Sequence, residues 1–407
     1  MNKIKIGIFI DSRKKSGGAY QEFLYILNNI KEKADQFSNI DFLFICTSKN
    51  LGLNLENKNI NFLYFHLNFF DRFICYLRNF GPFVRRIKKY FFFKNKFEYF
   101  LKKNNVQLIY FSGPSQYSLY LENTKFFINI PDVSHRENLE FPEIVDNAEF
   151  LRKEEIFKNS LPRAIAIITN SEIIKKRISF FYNILEEKIF IINHMPSMAI
   201  QNFLSVNLDK QKIFREKFKI PKDYIFYPAM YLPHKNHITL INALKFLKEH
   251  FKISVSAVFC GNDIGYLNNL KIYVNDIGLK NEIFFLGFVE DEYLPYLYLD
   301  SSILVMPSLI GPTNIPPWEA FKMEVPVIYS NLDGIKQVLA DSVIYVDPLD
   351  FRNIAETIFK VLTDKNLKEK LILKGNLRLK EVKDNNEFDV FFNIINKYNE
   401  YLKLFKY

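Results

Sequence analysis

Residues 303–347 read ILVMPSLIGPTNIPPWEAFKMEVPVIYSNLDGIKQVLADSVIYVD. Ile303 to Met306 is a short apolar run stopped by Pro307, the pattern of a buried strand. A loop follows from Pro307 to Pro317, and a helix pattern starts near Pro317 with Glu319, Ala320 and Phe321. Pro316-Pro317 cannot sit inside a central strand or a helix, but it can begin a helix. Pro326 to Tyr329 is a second strand, followed by an Asp333-Gly334 loop, a further helix and a further strand. Strand, loop, helix, strand, loop, helix, strand is the rhythm of a parallel sheet, which binds ligands at the carboxyl ends of its strands. Glu319 falls in a first helical turn beside a loop, where backbone donors lack helical partners. It reads either as part of a polar ligand site or as a carboxylate that favours its helix start.

The same rhythm runs through the chain. Lys5 to Ile10 is an expected first strand, and Gly17-Gly18 precedes a helix pattern from Tyr20 to Glu32. Glycines at that place let a ligand approach the backbone, and the helix start favours negative charge. The pair is not GxGxxG, so a dinucleotide fingerprint is absent, and a structural turn is the other reading. Leu108 to Phe111, Phe126 to Ile130, Ala164 to Thr169 and Lys188 to Ile192 continue the strands. Asp132 and His135 lie just beyond the strand Phe126 to Ile130, where this architecture places chemistry. Residues 193–209 read as an irregular linker. A second series then opens with the strand Tyr224 to Pro228, the loop Ala229 to Asn236 and a helix from Ile238 to Leu247. The expected fold class is therefore α/β, with two Rossmann-like doubly wound domains. They would span 1–205 and 206–385. Residues 386–407 form a C-terminal helix that could pack back on the first domain.

Composition narrows the partners. The chain has 407 residues, 55 Lys and Arg against 45 Asp and Glu, and a net charge of +10. That balance suits anionic partners, although an A- and T-rich genome alone would also enrich Lys, Asn, Ile, Phe and Tyr. Three widely spaced cysteines form neither a disulfide framework nor a zinc motif, as expected in a reducing compartment. The first 18 residues lack a signal-peptide pattern, and no apolar run approaches the roughly 20 residues of a spanning helix. The expected location is cytoplasmic, with the option of lying against the inner face of the cytoplasmic membrane. That option rests on Phe69 to Lys103, where Arg72, Arg85, Arg86, Lys88 and Lys89 interleave with Phe69, Phe70, Phe73, Phe83 and Phe91. Mixed aromatic and basic residues suit an anionic membrane interface. They equally suit helices with aromatics in the core and lysines in water. Single-stranded nucleic acid is the weakest of the three readings, and none is expected as a partner.

Lys235 sits in the loop after the first strand of the second series, where an ammonium can offset a diphosphate without a metal. His234 and His237 flank it, but no third ligand is near in sequence, so a metal is not expected.

These residues carry a resemblance. The chain resembles glycosyltransferase family 4, the retaining nucleotide-sugar enzymes of the GT-B fold and glycosyltransferase group 1 type. The resemblance rests on Gly17-Gly18, on YPAMYLPHKNHITLINAL at 227–244, and on 303–348. It implies a hexosyltransferase-like enzyme (EC 2.4). The enzyme would move a sugar from a nucleotide-sugar donor to a glycan or lipid-linked acceptor of surface polysaccharide or lipopolysaccharide, with no cofactor. In that reading Lys235 meets the donor diphosphate and Glu319 the ribose. Gly311, Thr313, Asn314 and Ile315 surround the donor sugar and phosphate, and Gly17 and Gly18 face the phosphates. Asp132 and His135 resemble the acceptor-side motif and join Lys235 as expected catalytic residues. The chain departs from the family pattern at three points. Gly311 stands where a second Glu is common, Met230 where an Arg is common, and Pro131 where a His is frequent. A side-chain contact to a donor-sugar hydroxyl is then lost, or Thr313 or Asn314 replaces it. The departures also motivate the alternative of a non-catalytic sugar-nucleotide or glycan-binding subunit of the same fold.

Overall fold

The computed structural model describes residues 3–10, 18–33, 37, 39–48, 61–80, 95–145, 148–311, 314–384 and 388–404. The chain divides into two compact units. Unit 1 comprises Met1–His135, Asn147–Asn193 and Glu387–Tyr407, and unit 2 comprises Arg136–Asp146 and His194–Asn386. The main crossing thus falls earlier than the expected 205/206 boundary, and a short excursion at 136–146 interrupts unit 1.

Unit 1 is a seven-stranded parallel sheet in the order β3-β2-β1-β4-β5-β6-β7. The strands are β1 (Ile4–Ile10), β2 (Ile40–Cys46), β3 (Asn61–Tyr64), β4 (Leu108–Phe111), β5 (Lys125–Asn129), β6 (Ala166–Thr169) and β7 (Ile189–Ile191). Both faces are covered, so the central strands are apolar on both sides rather than alternating. On β1, Ile4, Ile6, Ile8 and Ile10 enter one core while Phe9 enters the other. The helix Asp389–Leu404, at the end of the chain, belongs to the first of these cores. Phe392 stacks on Phe37 with ring centroids 4.0 Å apart, and Phe391 meets Tyr110 edge-on at 5.0 Å.

Unit 2 is a six-stranded parallel sheet in the order β10-β9-β8-β11-β12-β13. Its strands are β8 (Tyr224–Pro228), β9 (Ala257–Cys260), β10 (Ile283–Gly287), β11 (Ser301–Met306), β12 (Val327–Ser330) and β13 (Ile344–Val346). Read outward from β8, this is the doubly wound order, and strand direction of progress reverses between β8 and β11. In such sheets a switch point of this kind puts the ligand crevice at the carboxyl ends of the two strands, where 229–236 and 307–311 lie side by side.

Two sequence expectations change. Residues 193–209 are not an irregular linker: they lie in unit 2 except for Asn193, and they contain the helical turn Met198–Gln201 and the start of the helix Leu208–Phe218. In the basic-aromatic segment, helices span Phe69–Phe80 and Lys96–Lys103, and residues 81–94 lie outside the described residues. Ile74, Cys75, Phe97 and Leu101 are buried, whereas Phe69, Phe70, Phe73 and Tyr99 are exposed, Phe69 by 87%. The aromatics therefore divide between core and surface. Among the described residues no helix is long and apolar enough to cross a membrane.

Candidate functional site

The loop after β8 is held by unusually specific backbone demands. Gly261, after β9, passes so close to this loop that a Cβ would stand 2.3 Å from the Ala229 carbonyl oxygen. Pro233–Lys235 then makes one 3-10 turn, and Asn236 ends it in the left-handed region at φ +56°. Asn tolerates that conformation better than most residues. Its side chain does further work: Nδ2 donates to the carbonyls of Pro307 (3.0 Å) and Pro348 (2.7 Å), and Oδ1 accepts from the Thr239 hydroxyl at 2.6 Å. The His234 carbonyl accepts from the Leu309 N–H at 2.8 Å, and the Lys235 carbonyl accepts from the Tyr227 hydroxyl at 2.8 Å. The turn carrying Lys235 is thus bonded to the next loop at several points.

The loop after β11 meets it. Gly311 has φ +97°, a conformation costly for any residue with a Cβ. Its carbonyl accepts from Asn314 Nδ2 (2.9 Å) and from the Tyr329 hydroxyl (3.0 Å). Asn314 Oδ1 in turn faces the Lys235 ammonium at 3.5 Å. Lys235, Gly311 and Asn314 therefore form one cluster at the mouth of the crevice, with buried Ile315 beside it. Thr313 lies outside the described residues, as does Pro312.

Glu319 is in the helix Pro316–Lys322 and is buried. Its Oε2 accepts from the Tyr298 hydroxyl at 2.7 Å, and its Oε1 from the Ser197 N–H at 3.3 Å. The amide that meets this carboxylate therefore comes from residue 197, not from its own loop. Burial pushes the carboxyl above its ordinary value, and the bonds from Ser197 and Tyr298 oppose that rise.

His234 is gripped from the excursion 136–146. Glu143 Oε1, in the short helix Pro142–Val145, accepts from the His234 N–H at 3.1 Å and also bonds its ring Nδ1. The Phe141 ring meets the imidazole edge-on with centroids 6.2 Å apart. Burial alone would raise the Glu143 carboxyl, but the hydrogen bonds and the His234 ring hold it below its ordinary value. His237, three residues on, is fully buried among Tyr227, Tyr231 and Phe259, and neither ring nitrogen has a hydrogen-bond partner. It is a core histidine. Among the described residues no three His, Cys, Asp or Glu side chains form a metal-binding group.

In unit 1, Gly17 lies outside the described residues, and Gly18 opens the helix Gly18–Lys33. Asp132 follows β5, half-exposed. Burial raises its carboxyl, but Lys153 Nζ at 3.8 Å, Ser134 and His135 bring it below its ordinary value. His135 does not stand in an open loop. It is fully buried in the turn Ser134–Glu137, with Nε2 3.0 Å from Glu154 Oε1 and 2.9 Å from the Tyr182 hydroxyl. Burial and Lys153 lower its pKa, so the ring is neutral near pH 7. Asp132 and His135 are thus close in sequence but differ in access.

Sequence reasoning missed Glu143, Ser197, Tyr298 and Tyr329. Glu143 has the signature of a helix start after Pro142 and nothing more. Tyr298 sits in LPYLYL, which reads as an apolar helix face. Long-range pairing leaves no local signal.

The sequence of unit 2 has relatives. Residues 209–378 match the family model of the glycosyl transferases group 1. Over 195 residues, 48% of this chain and 50% of the relative, the sequence is 30% identical to the O-antigen chain mannosyltransferase RfbU of Salmonella typhimurium. The chain spans about half the length of the first curated relatives it matches. A glycosyltransferase from Rickettsia africae superposes with a TM-score of 0.68 over 97% of this chain and 99% of that one, at 19% identity. HepE from Anabaena, in complex with UDP-glucose, gives 0.70 over 98% and 100%, at 16% identity. At such identities the structural likeness shows the fold alone: GT-B, with two Rossmann-like units. The matched residues 209–378 include Lys235, Gly311, Asn314 and Glu319, so the strand-end cluster falls inside the matched sequence.

Proposed function

We propose that the chain is a retaining glycosyltransferase that moves a hexosyl group from a nucleotide sugar to a glycan or lipid-linked acceptor in surface polysaccharide synthesis. The observation that carries this reading is Lys235, brought to Asn314 at the mouth of the β8/β11 crevice by a turn that is bonded on several sides. A fixed ammonium there suits a departing diphosphate, whose charge grows as the anomeric bond breaks. In the reaction, the bond from the anomeric carbon to the phosphate oxygen breaks. The acceptor oxygen bonds the same carbon on the same face. The acceptor proton passes to the departing diphosphate, which removes the need for a separate base. Lys235 stabilises the leaving group more in the transition state than in the bound donor. Glu319 is the nucleotide-side carboxylate, and Gly311, Asn314 and Ile315 line the donor sugar. Gly18 is on the phosphate side, and Asp132 with His135 on the acceptor side. No metal is required, because Lys235 supplies the positive charge.

The mannosyltransferase names of the sequence relatives support a mannosyl donor as the first to test. A thermal-shift screen of uridine- and guanosine-diphosphate sugars identifies the donor. Saturation at a hundred times the dissociation constant adds about 2.7 kcal/mol of stability. Lys235→Ala then lowers turnover by more than a hundredfold, roughly the loss of one transition-state donor, with the melting temperature unchanged. Full turnover in that variant overturns the assignment, and turnover abolished by EDTA overturns the metal-free mechanism. Donor binding without transfer to any acceptor favours the non-catalytic subunit.

Exposed Phe69, Phe70 and Phe73, on the helix that also carries Arg72, support peripheral binding at the inner face of the cytoplasmic membrane. Co-sedimentation with vesicles should rise with their content of anionic lipid. Binding indifferent to lipid charge removes this part of the proposal.

A further inference from the structure

The geometry points to Glu143 as a positioning residue for Lys235, acting through His234. This inference rests on the donor reading proposed above. Glu143 belongs to the excursion 136–146, which lies in unit 2 although its sequence neighbours on either side belong to unit 1. One carboxylate oxygen receives both the backbone N–H and the ring Nδ1 of His234. The carbonyl of the same histidine is taken by the Leu309 N–H at 2.8 Å and approached by the Ser308 hydroxyl at 3.4 Å. His234 is therefore fixed through its amide, its ring and its carbonyl, and Lys235 is the next residue. A single 3-10 turn has few bonds of its own to fix its position. Its orientation must come from outside, and Glu143 supplies an anchor from a segment 91 positions away in sequence.

The anchor is a charged one, and it is largely shielded from water: the two side chains are 12% and 14% exposed. A charge-assisted bond in such a place is stronger than a surface pair. The other carboxylate oxygen, Oε2, is buried without a hydrogen-bond partner.

A loosened turn reduces the fraction of molecules with Lys235 in place. Apparent donor affinity falls by that fraction, while a donor already bound reacts as before. Glu143→Ala is thus expected to raise the donor KM about tenfold, to leave kcat within about twofold and to leave the melting temperature near that of the wild type. Glu143→Gln retains an acceptor oxygen for both His234 N–H groups and restores the KM. Hydrogen exchange of the full-length protein supplies a readout that needs no donor. The amides of 233–237 exchange at least several-fold faster in Glu143→Ala and as in the wild type in Glu143→Gln, with the rest of unit 2 unchanged.

Unchanged exchange at His234 in Glu143→Ala overturns the inference. So does an unchanged KM, a Gln variant as impaired as Ala, or faster exchange throughout unit 2, which would mean general destabilisation. If the wild type turns over no nucleotide sugar, the transferase reading fails, and the exchange comparison still decides whether Glu143 holds the turn.

Discussion

The side-chain amide of Asn236 donates to the Pro307 carbonyl at 3.0 Å, and this bond ties the loop after β8 to the loop after β11. The same nitrogen reaches the Pro348 carbonyl at 2.7 Å. Asn236 is buried and its φ is +56°. Asn236→Ala removes both bonds and the one from the Thr239 hydroxyl, and puts a Cβ-bearing residue without a local hydrogen bond in the left-handed region. Each hydrogen bond contributes about 1 kcal/mol and the conformation about another 1 kcal/mol, so a loss of roughly 4 kcal/mol is expected in urea unfolding. Asn236→Asp should be worse, because it turns a carboxylate toward two carbonyls. An Asp variant as stable as wild type contradicts the bonding described.

His237 offers a gain. Its ring lies among Tyr227, Tyr231 and Phe259 with both nitrogens unpartnered. His237→Phe keeps the aromatic packing and removes two buried polar atoms, which should stabilise the fold by about 1 kcal/mol. Burial, aided by Lys235 and His234, pushes the His237 pKa down from 6.5 to about 3. The folded form binds its proton less readily than the unfolded chain. Its neutral state thus contributes stability above pH 6.5 that is lost as pH falls toward about 3. Thermal melts of His237→Phe should therefore show a shallower fall over that window than the wild type.

Tyr298 and Glu319 behave in the opposite sense. Burial raises the Glu319 carboxyl, so its contribution to stability is full at low pH and declines as pH rises above the ordinary carboxylate range. The bond from the Tyr298 hydroxyl favours the ionised form. Tyr298→Phe removes this buried hydrogen bond, which should cost about 1 kcal/mol in denaturant unfolding. Unchanged stability would contradict the bond.

Gly311 reads in the sequence as a missing carboxylate, and the structure adds a backbone reason for glycine. At φ +97° any Cβ is strained, and here it would meet Asn314 Nδ2 at 3.3 Å. Gly311→Ala should destabilise by roughly 1–2 kcal/mol and, by moving Asn314 away from Lys235, raise the donor KM. Gly311→Glu should be no better than Ala. Improved donor binding in the Glu variant would show that the loop can adopt another path.

Much of the architecture was legible because parallel strands are local signals. Runs such as Ile303–Met306, 224–228 and 108–111 are short, apolar and bounded by Pro, Gly or polar residues, and all three lie in strands. The helix start at Pro316-Pro317 was legible for the same reason, since the proline ring acts within one turn. The expected irregular linker at 193–209 failed because a four-residue helical turn, Met198–Gln201, has too little periodicity to be seen. Lys235, Glu319, Gly311 and Asn314 were all singled out from sequence, yet the partners Ser197, Tyr298 and Tyr329 were not, nor was Glu143, the partner of His234.

The amino-acid order settled which segments become strands and helices and which loops fall at strand ends, because those choices depend on neighbours within a turn or two. It also placed Lys235 and Asn314 on the loops after β8 and β11. Only the folded chain decided that these loops share hydrogen bonds, that Glu319 turns to residue 197, that His135 is buried, and that Glu143 reaches His234 across 91 positions. Pairings of that span depend on how sheet order folds the backbone back on itself, and no window of sequence contains both partners.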